Sequence, residues 1–154
     1  IAIDLDDKKL DIARAVGATN VINAKDSDAV ADVKKLTQGR GADVVLESAG
    51  AERAFQVSVK MCRPGGEIVW LGKINVDRDV AFKWGTLMGE RNIVRSSYGG
   101  ARPAQDFPAL AQSYLDGTLK LDEMITARIG LDEINDGFDL LRRGDAIRTV
   151  IMFD

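Results

Sequence analysis

The 154-residue chain contains no histidine and a single cysteine, Cys62. Without imidazole it has no ordinary general base near neutral pH and lacks the commonest metal ligand, so no Ser-His-Asp or Cys-His arrangement can be assembled. One thiol excludes an intrachain disulfide and a thiolate zinc cluster. Placed before a Pro-Gly-Gly turn at a helix end, Cys62 reads as a packed small hydrophobe. There is no basic block: 21 Lys and Arg stand against 24 Asp and Glu, a net charge of −3, which gives nucleic acid and anionic membrane surfaces no electrostatic footprint. No run approaches the ~20 apolar residues of a membrane span, and no basic-then-apolar leader opens the chain, so the expectation is a cytoplasmic protein. What the chain does have is core material, with 45% hydrophobic residues against 29% charged in one domain's length.

The sequence is organised around its first nine residues, IAIDLDDKK. Ile1, Ala2 and Ile3 form an apolar run cut short by Asp4, and an amphipathic helical pattern takes over at Lys8, as in a buried parallel strand feeding a helix. A carboxylate therefore stands at a strand's carboxyl end. In doubly wound α/β sheets ligands bind at that edge, and an acid ending the second strand takes the adenosine ribose hydroxyls of a dinucleotide. The glycine-rich phosphate turn belongs ~20 residues upstream of such an acid. The chain starts where the second strand should start. It is expected to be a partial dinucleotide-binding domain, residues 1–154, without the first strand, phosphate loop and first helix.

Further along, Asp6 or Asp7 can cap a helix with Leu10, Ile12, Ala13 and Val16 inward and Gly17 as stop. A short strand at 20–23 leads to a helix capped by Asp26 or Ser27, carrying Val30, Val33 and Leu36. The stretch 42–46 reads as a fully buried strand ending in Glu47-Ser48-Ala49-Gly50. A helix to Cys62 is closed by Arg63-Pro64-Gly65-Gly66, and the strand 67–71 ends at Gly72. Residues 80–84 alternate weakly like an edge strand. The strand 92–97 ends at Tyr98-Gly99-Gly100. Pro103 opens a helix with Phe107, Leu110, Ala111, Tyr114 and Leu115 inward, and Asp132 caps another with Ile134, Phe138 and Leu141 inward and Gly144 as stop. Residues 124–129 and 148–153 are extended. Strands alternating with helices predict an α/β fold: a doubly wound, mostly parallel Rossmann-type sheet.

The segments IAIDLDDKKLDIARAVGATNVIN, ADVVLESAG, RPGGEIVWLG, SYGG and EINDGFDLLRRGDAIRTVIMF, in this order and spacing, resemble the C-terminal NAD-binding domain of the medium-chain zinc-dependent alcohol dehydrogenases. The resemblance implies hydride transfer between NAD and a small alcohol or aldehyde at a zinc ion held by a catalytic domain that is absent here. It assigns Asp4 and Lys9 to the adenosine ribose, Leu5 to the adenine flank, and Ser48 and Ala49 to the adenine-side wall. Leu71, Gly72 and Lys73 match the segment whose backbone meets the nicotinamide half. Ser96 and Tyr98 match the groups that hold the carboxamide, and Arg148 the arginine that pairs with the pyrophosphate. Lys73 stands where the family usually has a small apolar residue, and Ser97 where an apolar one is common.

Each of these residues also has a plainer reading. Asp4 sits where a helix cap would, although Asp6 and Asp7 are better placed for that task. Lys9 would ordinarily be a solvated helix-face lysine. Arg148 could be a surface ion pair, but its planar fork suits a pyrophosphate. Asp4, with Asp6 and Asp7 beside it, opposes a 2′-phosphate and favours NAD over NADP. The expected function is the NAD(H)-binding portion of a zinc-type alcohol dehydrogenase, binding NAD weakly and inactive as an isolated fragment. The alternatives are a non-catalytic nucleotide-binding or assembly-only remnant, and a fragment of a zinc-free quinone or enoyl reductase. A missing central strand would leave two apolar edges, to be closed by pairing 1–4 with 42–46 or by a strand of a second copy. The far edge, Asn92–Ser97, matches the family's subunit-pairing strand and predicts a homodimer.

Overall fold

The computed structural model describes residues 1–153. Along the chain run β1 (Ala2–Asp4), α1 (Asp7–Ala15), β2 (Val21–Asn23), α2 (Ala29–Leu36), β3 (Ala42–Glu47), α3 (Glu52–Met61), β4 (Cys62–Trp70), a short α4 (Trp84–Leu87), β5 (Asn92–Arg95), α5 (Pro103–Leu115), β6 (Ile125–Ile129), α6 (Ile134–Arg143) and β7 (Arg148–Ile151). Local chemistry sets most of the boundaries. Asp6 caps α1 by accepting from Lys8 N–H at 2.9 Å, and Gly144, with φ of +75°, ends α6 in the left-handed conformation that glycine adopts without a Cβ penalty. Two caps differ from expectation. Asp28, not Asp26 or Ser27, takes the N–H groups of Val30 and Ala31, because α2 begins one turn position later. A 3₁₀ turn at Leu131–Glu133 precedes α6, with Glu133 rather than Asp132 accepting from Gly130 N–H at 2.8 Å. The stretch 80–83 forms no strand, and Trp84 begins α4.

Every strand pair among the described residues is parallel: β1 with β2, β3 with β4, β4 with β5, and β6 with β7. The α/β architecture of Rossmann type is thus present, divided into three ladders instead of one continuous sheet. β1 pairs with β2 alone, and β3 with β4 alone, which leaves out the direct pairing of 1–4 with 42–46 expected from the sequence.

The chain divides into two compact units, one made of Ile1–Asn23 with the described residues from Arg102 onward, the other of Ala24–Ala101. In the first, Leu10, Ile22 and Ala146 are buried. Helix α6 meets β6 and β7 through Gly137, where a Cβ would stand 2.7 Å from Ile129 Cδ1, so the missing side chain permits the close approach. The apolar stripes of α5 and α6 are not inward as expected. Phe107, Leu110, Leu115, Phe138 and Leu141 are all more than half exposed, because no layer of the described residues covers those faces.

In the second unit the order is β3-β4-β5, with Val45, Ile68 and Ile93 in one register row. Helix α3 packs on β3 and β4, and α2 packs on α3. The core beneath them is Val45, Phe55, Val59, Met61, Cys62 and Ile68. The strand 42–46 is not buried on both faces as its composition suggested: Val44 and Leu46 are 56% and 64% exposed. Side chains alternate along a strand, and helices cover only one side of this ladder. Trp70 locks the end of β4. Its Nε1 donates to the buried Ser58 Oγ at 3.1 Å, its ring meets Phe55 edge-on at 5.1 Å, and Phe82 stacks on it at 5.7 Å. Gln56 Nε2 adds a bond to Ala81 O at 2.8 Å, so the irregular stretch 71–83 is tied back to α3. No helix among the described residues is long and apolar enough to cross a membrane.

Candidate functional site

In the first unit, Asp4 ends β1 opposite Asn23. Its Oδ1 accepts from Leu5 N–H at 2.7 Å and from Asp6 N–H at 3.2 Å, an Asx-type turn that fixes the carboxyl group as the chain leaves the strand. Helix capping falls to Asp6, and Asp4 Oδ2 has no hydrogen-bond partner among the described residues. Leu5 is 65% exposed beside it. Lys9 is half-buried and its ammonium lies near the α6 C-cap, where a Cβ on Gly144 would stand 3.4 Å from Nζ. The negative end of a helix dipole is a natural resting place for a cation, and here it draws Lys9 to α6. Arg148 opens β7 and is exposed. Asp4 and Arg148 share no ion pair.

In the second unit the strand ends are stitched together. The carbonyl of Glu47 accepts from Leu71 N–H at 2.7 Å and Gly72 N–H at 3.0 Å, while Glu47 Oε1 accepts from Gly50 N–H at 2.8 Å. Gly50, with φ of +68°, lies against Lys73, and Gly72 lies against Gly50 so closely that a Cβ on either would overlap backbone atoms. Ser48 and Ala49 are exposed at the turn's crest, and Gly72 is buried beneath it. Ser96 donates its N–H to Trp70 O at 3.1 Å. Tyr98 is 90% exposed and takes a positive φ of 53°, followed by Gly99 and Gly100 at +63° and +65°. A run of three left-handed residues needs its glycines; the tyrosine carries the strain.

Two residues that sequence reasoning passed over belong to this edge. Glu47 is only 5% exposed, and its Oε2 is buried without a hydrogen-bond partner, an orphan acceptor beside Gly72 of the kind that a ligand's donor satisfies. Arg95 Nη1 donates to Trp70 O, Leu71 O and Ser96 O at 2.6, 3.3 and 2.7 Å. Each unit by itself offers polar groups of a kind that a dinucleotide uses: the half-free Asp4 carboxylate in the first, and the orphan Glu47 oxygen with bare glycine backbone in the second. The same cannot be said of a zinc ion. No group of three or more His, Cys, Asp or Glu side chains able to hold a metal occurs among the described residues. Cys62 is sealed in the core, where burial pushes its thiol pKa up.

At the other end of β3, Asp43 accepts from Arg63 Nε at 2.5 Å and from both Arg40 Nη groups at 3.1 Å. The Arg63 hydrogen bond, with the charges of Arg40 and Arg63, holds its carboxyl below the usual range.

Residues 1–116 match the family model described as zinc-binding dehydrogenase. The chain is 30% identical over 153 residues to alcohol dehydrogenase-like 6 of Arabidopsis thaliana, covering 98% of this chain and 40% of that protein. It is 31% identical over 160 residues to S-(hydroxymethyl)glutathione dehydrogenase of Paracoccus denitrificans, covering 99% and 43%. Among solved structures, the benzyl alcohol dehydrogenase of Acinetobacter calcoaceticus superposes with a TM-score of 0.92 at 28% identity, over 99% of this chain and 42% of that one. The chain spans about two-fifths of the length of the curated relatives it matches. With its parallel ladders and acid-ended first strand, the chain belongs to the zinc-binding dehydrogenases, in the part that corresponds to the Rossmann-type domain of the medium-chain alcohol dehydrogenases.

Proposed function

We propose that this chain is the NAD(H)-binding part of a zinc-type alcohol dehydrogenase that transfers hydride between NAD and a small alcohol or aldehyde. When bound, the nicotinamide supplies the hydride chemistry; this chain's residues bind and orient it. The observation that carries the reading is Asp4: a carboxylate fixed by its own turn at a parallel strand's carboxyl end, one oxygen uncommitted, which suits a pair of vicinal ribose hydroxyls. Leu5 flanks the adenine, Ser48 and Ala49 form its wall, and Arg148, exposed and without an ion pair among the described residues, meets the pyrophosphate. Lys9 reaches the ribose only by leaving the α6 C-cap. Leu71, Gly72 and Lys73 offer backbone to the nicotinamide half, and Ser96 and Tyr98 hold its carboxamide. The open outer edge of β5 supports a homodimer through Asn92–Ser97.

NADH should bind this chain in about the millimolar range, roughly −4 kcal/mol, since no helix N-terminus of the described chain is assigned to the pyrophosphate. The preference for NADH over NADPH should be about ten-fold, set by like-charge repulsion at Asp4, and should vanish in Asp4→Asn. Protein-observed NMR titration measures both. Equal binding of the two cofactors by the wild type, or a preference untouched by Asp4→Asn, overturns the assignment.

A further inference from the structure

Where β4 and β5 end, one side chain reaches three carbonyls. Trp70 O already accepts from Ser96 N–H, so it does not need Arg95. Leu71 O and Ser96 O lie beyond the ladder, and among the described residues Arg95 Nη1 is the donor that reaches them, at 3.3 and 2.7 Å. A carbonyl left without a donor at a strand end is costly unless water or a ligand takes it. A primary carboxamide carries two N–H groups on one planar nitrogen, the same number as the carbonyls that Arg95 alone serves.

We propose that Arg95 is a built-in occupant of an amide-binding turn, and that it yields Leu71 O and Ser96 O to the N–H donors of a ligand's primary carboxamide. This rests on the NAD(H) reading, under which that group is the nicotinamide carboxamide. Arg95 is the last residue of β5 and exposed, so its side chain swings into water without disturbing the core. Binding then exchanges one charge-assisted set of hydrogen bonds for a neutral one. The arginine lowers affinity for the nicotinamide half and leaves the adenosine half alone. It is a specificity-determining residue: ligands that bring no amide leave it seated.

The test compares NADH with ADP-ribose, which lacks the nicotinamide ring, on the full chain by protein-observed NMR. Arg95→Met keeps side-chain length and removes every donor. It should tighten NADH about ten-fold, the worth of one charge-assisted hydrogen bond no longer displaced, and leave ADP-ribose unchanged. Methylguanidinium added to Arg95→Met should weaken NADH back toward the wild-type value, with ADP-ribose again indifferent. A merely structural arginine gives the opposite signs: NADH weakens in Arg95→Met, both ligands move together, and methylguanidinium restores binding. Any of these overturns the proposal. If the wild type binds neither ligand, the NAD(H) reading falls and takes this one with it. If both ligands bind and only the split between them fails, Arg95 alone was misassigned.

Discussion

Two strands of this chain end in an acid that faces a turn, and the two acids are held in opposite ways. Glu47 at the end of β3 is buried, its carbonyl and one carboxyl oxygen together accept three backbone N–H groups, and the glycines around it touch backbone to backbone. Asp4 at the end of β1 is half-buried, its carboxyl accepts from only the two N–H groups that follow it among the described residues, and it stands beside an exposed leucine. The first arrangement is built from contacts far apart in sequence, the second from neighbours alone. A turn held by distant contacts keeps its shape without a ligand. One held by its neighbours has a fixed start and leaves one oxygen of Asp4 without a partner among the described residues.

The comparison breaks most visibly at glycine. In Gly72→Ala the new methyl meets Gly50 backbone and Glu47 Oε2, and should cost about 3 kcal/mol, the upper end of ordinary overpacking; urea denaturation measures it. Gly17→Ala, beyond α1 in the other unit, should cost only about 1 kcal/mol. That position has φ of +117° and nothing within 4 Å of the added methyl, so backbone strain is the whole effect. Equal costs at the two sites would show that the packing of Gly72 on Gly50 is no tighter than the open position after α1.

The smallest effect is expected at the amino end of β3. Asp43 has a depressed folded-state pKa, so its contribution is fully present above the unfolded value of ~3.9 and is lost as pH falls through the lower folded value. The stability difference between wild type and Asp43→Asn should therefore be small and flat at neutral pH and fade below about pH 4. A difference that grows on acidification contradicts the assignment.

How much of this was legible in the sequence follows the same division. The strand end at Asp4, the α1 cap at Asp6 or Asp7 and the α6 stop at Gly144 depend on residues within a few positions, and the structure has the strand end, the cap at Asp6 and the stop. Asp28 was missed because Asp26, Ser27 and Asp28 are interchangeable as caps until the first helical N–H groups choose among them. Glu47 read as part of a small-residue turn, since nothing local announces that its side chain folds back onto Gly50 and into the core. Arg95 read as a strand residue, since its three acceptors come from two strand ends. The stripes on α5 and α6 show that amphipathic periodicity names the face that wants covering, without saying what covers it.

Cys62 has a use unrelated to any ligand. It is the only thiol in the chain, 2% exposed, with its sulfur directed at Glu67 O and packed so close to Gly66 that a Cβ there would stand 2.5 Å from Sγ. A thiol reagent cannot reach it while β4 stays in the ladder, so the labelling rate counts openings of that strand and little else. The chain thus carries its own stopwatch at the strand on which the proposed nicotinamide half rests, and any ligand that steadies that edge will slow it.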